Sequence, residues 1–83
     1  MTHDEEIDAL GLLCPLPVLR ARKRLAGMAP GRVLRLLADD PAAAVDVPHF
    51  CAGAGHVLER VETVPEGRAY FIRRSPAGAA AGA

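Results

Sequence analysis

Two prolines, Pro15 and Pro17, fix where the first helix of this chain can begin. Proline has no backbone N–H and a preset φ, so it fits the first turn of a helix, where amides have no intrahelical partner anyway. In Leu13-Cys14-Pro15-Leu16-Pro17 this predicts Cys14 at the N-cap, Pro15 at N1 and Pro17 at N3. The turn bearing Cys14 is stiff, and donation toward its sulfur falls mainly to the amides of Leu16 and Val18. Beyond it, Val18, Ala21, Leu25 and Met28 recur at spacings of three and four, one apolar stripe of a helix running to about Met28. Arg20, Lys23 and Arg24 gather opposite that stripe, with Arg22 at its margin, where its stem can cover apolar surface. Gly27 and Pro30-Gly31 end the segment.

Strands flank this helix. Ile7 to Leu12 alternates weakly and suits a short strand, while Arg32 to Ala38, dense in branched aliphatics, is the clearest one. Strand, helix and strand in so short a stretch make a βαβ unit, so the two strands are expected to be parallel. Asp40 is a good N-cap and Pro41 a good N1 for a second helix. Pro48 then predicts a kink, or two helical pieces, between Ala42 and Ala54, with Val45, Phe50 and Cys51 toward the sheet. His56 to Val64 and Ala69 to Arg74 read as strands joined in a hairpin through Pro65-Glu66-Gly67. The order β-α-β-α-β-β predicts an α+β, two-layer sandwich: a four-stranded mixed sheet with two helices on one face. The expected organisation is a flexible arm over residues 1–6, one domain over 7–74 and a disordered, low-complexity tail over 75–83.

Eighty-three residues hold one core, and with only Phe50, Tyr70 and Phe71 aromatic it must be mostly Leu, Val and Ala. A formal net charge of zero argues against a dedicated nucleic-acid binder. The two cysteines, Cys14 and Cys51, are too few for a disulfide scaffold and lack zinc-site spacing with His3, His49 or His56, although a single Cys14–Cys51 bridge stays open. The acidic start has no apolar run of a signal peptide, and the uncharged stretch from Ala9 to Leu19 is too short to span a bilayer. The expected address is the cytoplasm, with no membrane association.

The chemistry centres on Cys14. A thiolate is the reactive form of cysteine, and a helix N-terminus favours it. The first strand should deliver Cys14 to the carboxyl edge of the sheet, where α/β units place reactive groups. The competing reading is a small buried hydrophobe among Leu12, Leu13 and Leu16. Asp39 and Asp40, ending the second strand, should share that edge; they either cap the second helix or meet a partner, and their charge opposes thiolate formation. Arg20, Arg22, Lys23 and Arg24 form either a solvated face or a docking surface for an acidic partner or tRNA phosphates. Cys51 reads as a packed core thiol, with a resolving cysteine as the alternative, and no base is evident for a Cys–His nucleophile.

Asp8-Ala-Leu-Gly-Leu-Leu-Cys14-Pro-Leu-Pro17 resembles the C-P-x-P signature of the TusA/SirA-like sulfur carrier family. Ala38-Asp-Asp-Pro-Ala-Ala43 and Asp46-Val-Pro-His-Phe-Cys51 resemble its second block, and Phe71-Ile-Arg-Arg74 also fits; within the family the blocks look closest to the TusA carriers. The resemblance implies a βαβαββ sandwich in which Cys14 carries sulfane sulfur as a persulfide, supported by Pro15, Leu16, Pro17, Asp39 and Asp40. It implies a sulfurtransferase acting in a relay rather than a self-contained enzyme, with no metal or bound organic cofactor. The donor would be a cysteine desulfurase or rhodanese-like protein and the acceptor TusBCD-like or DsrE-like, with an indirect link to tRNA through 2-thiouridine synthesis. Molybdenum-cofactor synthesis, sulfur oxidation and a SirA-type regulatory module are the alternatives, and a monomer with transient partners is expected. Leu16 departs from the family, where TusA proper commonly has glutamate, so the rim of the sulfur loses a negative charge and gains apolar surface.

Overall fold

Asp8 decides where the first strand stops: its carboxylate accepts a hydrogen bond from the Leu10 amide at 3.0 Å, an Asx-type turn that takes the backbone out of the extended register. In the computed structural model, which describes residues 3–75, the elements in order are β1 (Glu5–Asp8), α1 (Leu16–Ala26), β2 (Val33–Ala38), α2 (Ala43–Ala54), β3 (Val57–Val64) and β4 (Gly67–Arg73). The expected βαβαββ order holds, and β1 lies earlier than the Ile7–Leu12 span its apolar alternation suggested.

The acidic start explains that difference. The Asp4 carboxylate accepts from the Val33 amide at 2.8 Å and pairs with Arg32 at 3.2 Å, Glu5 pairs with Arg24 at 3.1 Å, and Glu6 pairs with Arg35 at 3.1 Å. Each exposed ion pair contributes little by itself. Together with the ladder they seat residues 4–6 in the sheet, where charge density alone had predicted a flexible arm. Residues 1–2, and the expected tail beyond Ser75, lie outside the described residues; the amide of Ser75 donates to His56 Nδ1 at 3.2 Å.

The sheet order is β1-β2-β4-β3. β1 and β2 run parallel, with Ile7 opposite Leu36, and α1 is their crossover. β4 is antiparallel to both β2 and β3, so the last strand occupies the interior, and the hairpin closes tightly with Val64 opposite Gly67. The helix-covered face buries Ile7, Leu34, Leu36, Tyr70 and Ile72 against Ala21, Leu25 and Met28 of the α1 segment and Ala43, Val47 and Cys51 of α2. The other face carries a smaller cluster of Val33, Leu37, Ala69 and Phe71, with the Arg60 guanidinium 4.0 Å over the Phe71 ring. The Arg74 Nε donates to the Leu25 carbonyl at 2.7 Å, a second hydrogen bond on an oxygen that already accepts the Met28 amide at 3.1 Å, and ties the end of β4 to the end of α1.

α2 differs from expectation in two ways. It starts at Ala43, because Asp40 and Pro41 form a preceding turn in which the Ala42 amide donates to Asp40 Oδ1 at 3.0 Å. It is also one helix through Pro48 rather than two pieces. Pro48 suits helical φ, and its missing bond falls on the exposed Ala44–Pro48 side, where water can serve the carbonyl. This rotation buries Val47 and Cys51 and leaves Val45 outward, 71% exposed, correcting its expected place against the sheet.

Gly67 ties the hairpin to the end of β2. A Cβ there would lie 2.5 Å from the Ala38 carbonyl oxygen and 3.0 Å from the Asp39 Cα, both backbone atoms that cannot swing aside. Gly67→Ala is therefore expected to destabilise the domain by about 1–3 kcal/mol through overpacking, read as a lower urea midpoint at an unchanged slope. An unchanged midpoint contradicts the close approach.

Candidate functional site

Parallel pairing of β1 and β2 puts the carboxyl ends of both strands on one edge, and both helices begin there. That edge gathers the loop after β1, carrying Gly11 to Cys14, the Asp39-Asp40 pair after β2, and the first turn of α2. Cys14 sits one residue outside the expected N-cap. Pro15 holds that position and Leu16 opens α1, so Pro17 falls at N2 rather than N3. The Cys14–Pro15 peptide bond is cis. The Leu16 amide donates to the Leu13 carbonyl at 2.9 Å, so it does not serve the sulfur as the sequence suggested.

Two aspartates pin the loop. Gly11, at φ +79°, takes a left-handed turn that side-chain-bearing residues avoid, and its amide donates to Asp39 Oδ1 at 3.0 Å. The Cys14 amide donates to Asp40 Oδ2 at 2.6 Å, while Asp40 Oδ1 takes the Ala42 amide. These bonds, from Cys14 first and Ala42 second, hold the Asp40 carboxyl below the usual carboxylate range. Because the folded value is depressed, the anchor contributes at neutral pH and is lost as pH falls through that value. Asp40 thus bonds the amide of the cysteine itself, besides the turn-capping role expected of it.

The sulfur has its own partner. Cys14 Sγ donates to Asp46 Oδ2 at 2.5 Å. Asp46 stands in the first turn of α2, where a helix N-terminus favours a carboxylate. The hydrogen bond to Asp46 first, then burial, then the charges of Asp46 and Asp40, push the Cys14 thiol above its ordinary value. The helix-start effect expected to favour thiolate is therefore outweighed in this conformation. Asp46 was missed as a site residue. With Pro41 at N1 it falls in the second turn; only the start at Ala43 brings it into the first turn, at the edge that presents Cys14.

Cys14 is exposed and Cys51 buried, both as free thiols. Burial pushes the Cys51 thiol up to about 11, as a packed core position requires. His49, one turn beyond Asp46, is exposed. Beside Cys14 in the chain, Leu13 is 70% exposed and Leu16 also faces solvent, as does Val45 next to Asp46 on α2, so exposed apolar side chains flank the cysteine and its aspartate partner in sequence. From Leu16 a shallow groove continues along α1, lined by Ile7, Leu19, Arg20, Lys23 and Arg24. Arg24 is tied to Glu5, whereas Arg20, Arg22 and Lys23 are exposed on the helix. Among the described residues, no group of three or more His, Cys, Asp or Glu side chains is gathered as for a metal ion, and no helix is long and apolar enough to cross a membrane.

The Sulfurtransferase TusA family profile matches residues 5–74. The fold is similar to the crystal structure of a SirA-like protein from Desulfitobacterium hafniense, with a TM-score of 0.73 and 30% sequence identity over 84% of this chain and 95% of that one. The match spans both the Cys14 loop and the second block with Asp39, Asp40 and Asp46.

The two thiols should separate cleanly by chemistry. Iodoacetamide on the native protein at pH 8 is expected to add one label, at Cys14, and to add a second at Cys51 only in denaturant, counted by intact mass. Two labels at comparable rates under native conditions contradict the burial of Cys51.

Proposed function

We propose that this chain, which belongs to the TusA sulfurtransferase family, is a persulfide carrier whose cargo rides on Cys14. The observation that carries this reading is an exposed thiol whose backbone is pinned from across the sheet edge, by the Cys14 amide on Asp40. Thiol–disulfide-type exchange proceeds by in-line attack of one sulfur on another, so it needs access and a fixed approach more than an enclosed pocket. The Cys14 thiolate attacks the terminal sulfur of a donor persulfide. A bond forms between the two sulfurs, the donor's own S–S bond breaks, and the donor leaves as a thiol after taking up a proton. Delivery repeats the exchange: an acceptor cysteine takes the terminal sulfur, and Cys14 returns to a thiol.

Both partners must reach the sulfur over the same surface. Leu13 and Leu16, beside Cys14 in the chain, and Val45, next to Asp46, offer apolar contact, and Arg20 and Lys23 extend that contact with positive charge along α1. Such a surface suits a partner with an acidic rim around a mobile cysteine, steered electrostatically and released readily. We assign the donor as a cysteine desulfurase or rhodanese-like protein and the acceptor as a TusBCD-like or DsrE-like relay protein. The pathway we favour is tRNA 2-thiouridine synthesis in the cytoplasm, where thiols stay reduced, with this protein acting as a monomer. Leu16 in place of an acidic residue weights recognition toward apolar contact.

Incubation with a cysteine desulfurase and cysteine, followed by intact mass, tests the reading. Wild type and Cys51→Ser are expected to gain sulfur, and Cys14→Ser none; an equal gain on Cys14→Ser overturns the assignment. Arg20→Glu with Lys23→Glu is expected to slow loading, with a loss that shrinks as salt screens the charges. The SirA-like neighbour favours a second reading, a regulatory interaction module. On that reading Cys14→Ser leaves the cellular phenotype intact while charge reversal at Arg20, Lys23 and Arg24 abolishes it.

A further inference from the structure

The carrier reading gives Cys14 two states, and the site treats them differently. In the unloaded state Sγ bears a proton and gives it to Asp46 Oδ2 in a 2.5 Å hydrogen bond. Loading removes that proton. Once Sγ is bonded to Cβ on one side and to the incoming sulfur on the other, it has nothing left to donate. The added terminal sulfur is more acidic than a thiol and carries negative charge at neutral pH. The groups facing it are carboxylates: Asp46 from α2 and Asp40 from the β2–α2 turn, the two whose charges act on this sulfur. Asp39 lies on the same edge with one oxygen engaged by Gly11. The backbone cannot follow the side chain, because the Cys14 amide is held by Asp40 and the next residue is proline.

We propose that Asp46 is a positioning residue that retains the Cys14 sulfur when it is an unloaded thiol and turns it outward when it is a persulfide. The device rests on the carrier reading. It works by balance of atoms: the donor's S–S bond breaks and the Cys14–sulfur bond forms, and the proton shared with Asp46 leaves with the donor thiol. The donor cysteine is reduced as Cys14 is oxidised, so no other oxidant is required. The hydrogen bond that parked the side chain ceases to exist in the same event that gives it cargo. The empty carrier is therefore guarded against stray electrophiles, and the loaded one swings outward to the surface of exposed Leu13, Leu16 and Val45, where an acceptor docks.

The experiment is the pH profile of Cys14 alkylation by iodoacetamide on the full chain, for wild type, Asp46→Asn, Asp46→Ala and Asp40→Asn. Each is read before and after loading with inorganic polysulfide, and circular dichroism checks the fold. Unloaded Asp46→Asn is expected to react several-fold faster at pH 7, with its profile moved to lower pH; a tenfold gain in thiolate converts to only about a threefold gain in rate, because nucleophilicity falls with basicity. Asp46→Ala should move the same way. The loaded forms of wild type and Asp46→Asn should react at the same rate. An unchanged profile in both Asp46 variants, a larger move in Asp40→Asn, or a loaded wild type as far behind its variant as the unloaded one each overturn the proposal. The carrier reading fails separately: a Cys14 that takes no sulfur from a desulfurase removes it, whatever the alkylation profiles show.

Discussion

The Cys14 amide donates to the Asp40 carboxylate across 2.6 Å, and this bond joins two loops that the sheet brings near each other but does not itself connect. Its geometry depends on nearly everything else. β1 and β2 must be parallel for both loops to leave the same edge. The hairpin must close against Ala38 and Asp39, which it does only because Gly67 has no side chain. Asp40 must also keep its second oxygen on the Ala42 amide, which starts the turn into α2 and so places Asp46. One carboxylate thus sets the position of the cysteine backbone and, through the helix it leads into, the group that meets the cysteine sulfur.

Two opposing influences act on that sulfur. Two helices start at its edge and favour an anion there. A carboxylate at hydrogen-bond distance favours the protonated thiol. The near, directed interaction wins over the diffuse one, and the thiol is pushed up rather than down. A site tuned for self-contained nucleophilic catalysis needs a lowered thiol pKa or an adjacent base. A site that stores and releases cargo gains from a quiet resting state, and Cys14 has that with an unobstructed approach.

The architecture was legible because its signals are local and strong. Pro15 and Pro17 fit the start of a helix, the aliphatic run Arg32–Ala38 read as a strand, and Pro65-Glu66-Gly67 read as a turn. Most of what escaped depends on groups far apart in the chain. The charges of Asp4, Glu5 and Glu6 looked like a solvated arm because their partners Arg32, Arg24 and Arg35 become neighbours only on folding. The Ile7–Leu12 alternation was real in pattern, yet the Asp8 carboxylate bonding the Leu10 amide ended the strand first. For the site, Cys14, Asp39 and Asp40 were placed on one edge by topology alone. Asp46 was not, because the side it faces follows from where α2 starts, and Asp40 and Pro41 delay that start to Ala43.

The position of β4 in the interior of the sheet has a consequence for how the molecule is made. On a ribosome, the cysteine loop, both helices and three strands emerge before the strand that unites them. Until β4 is released, β2 has an open side and β3 has no neighbour, so the nascent chain exposes pairing edges without a closed core. The Ala38–Asp39 backbone also lacks the hairpin that packs on it. The cysteine site is therefore completed only when β4 is added, and a translation product truncated before it would carry the cysteine without the geometry that holds it.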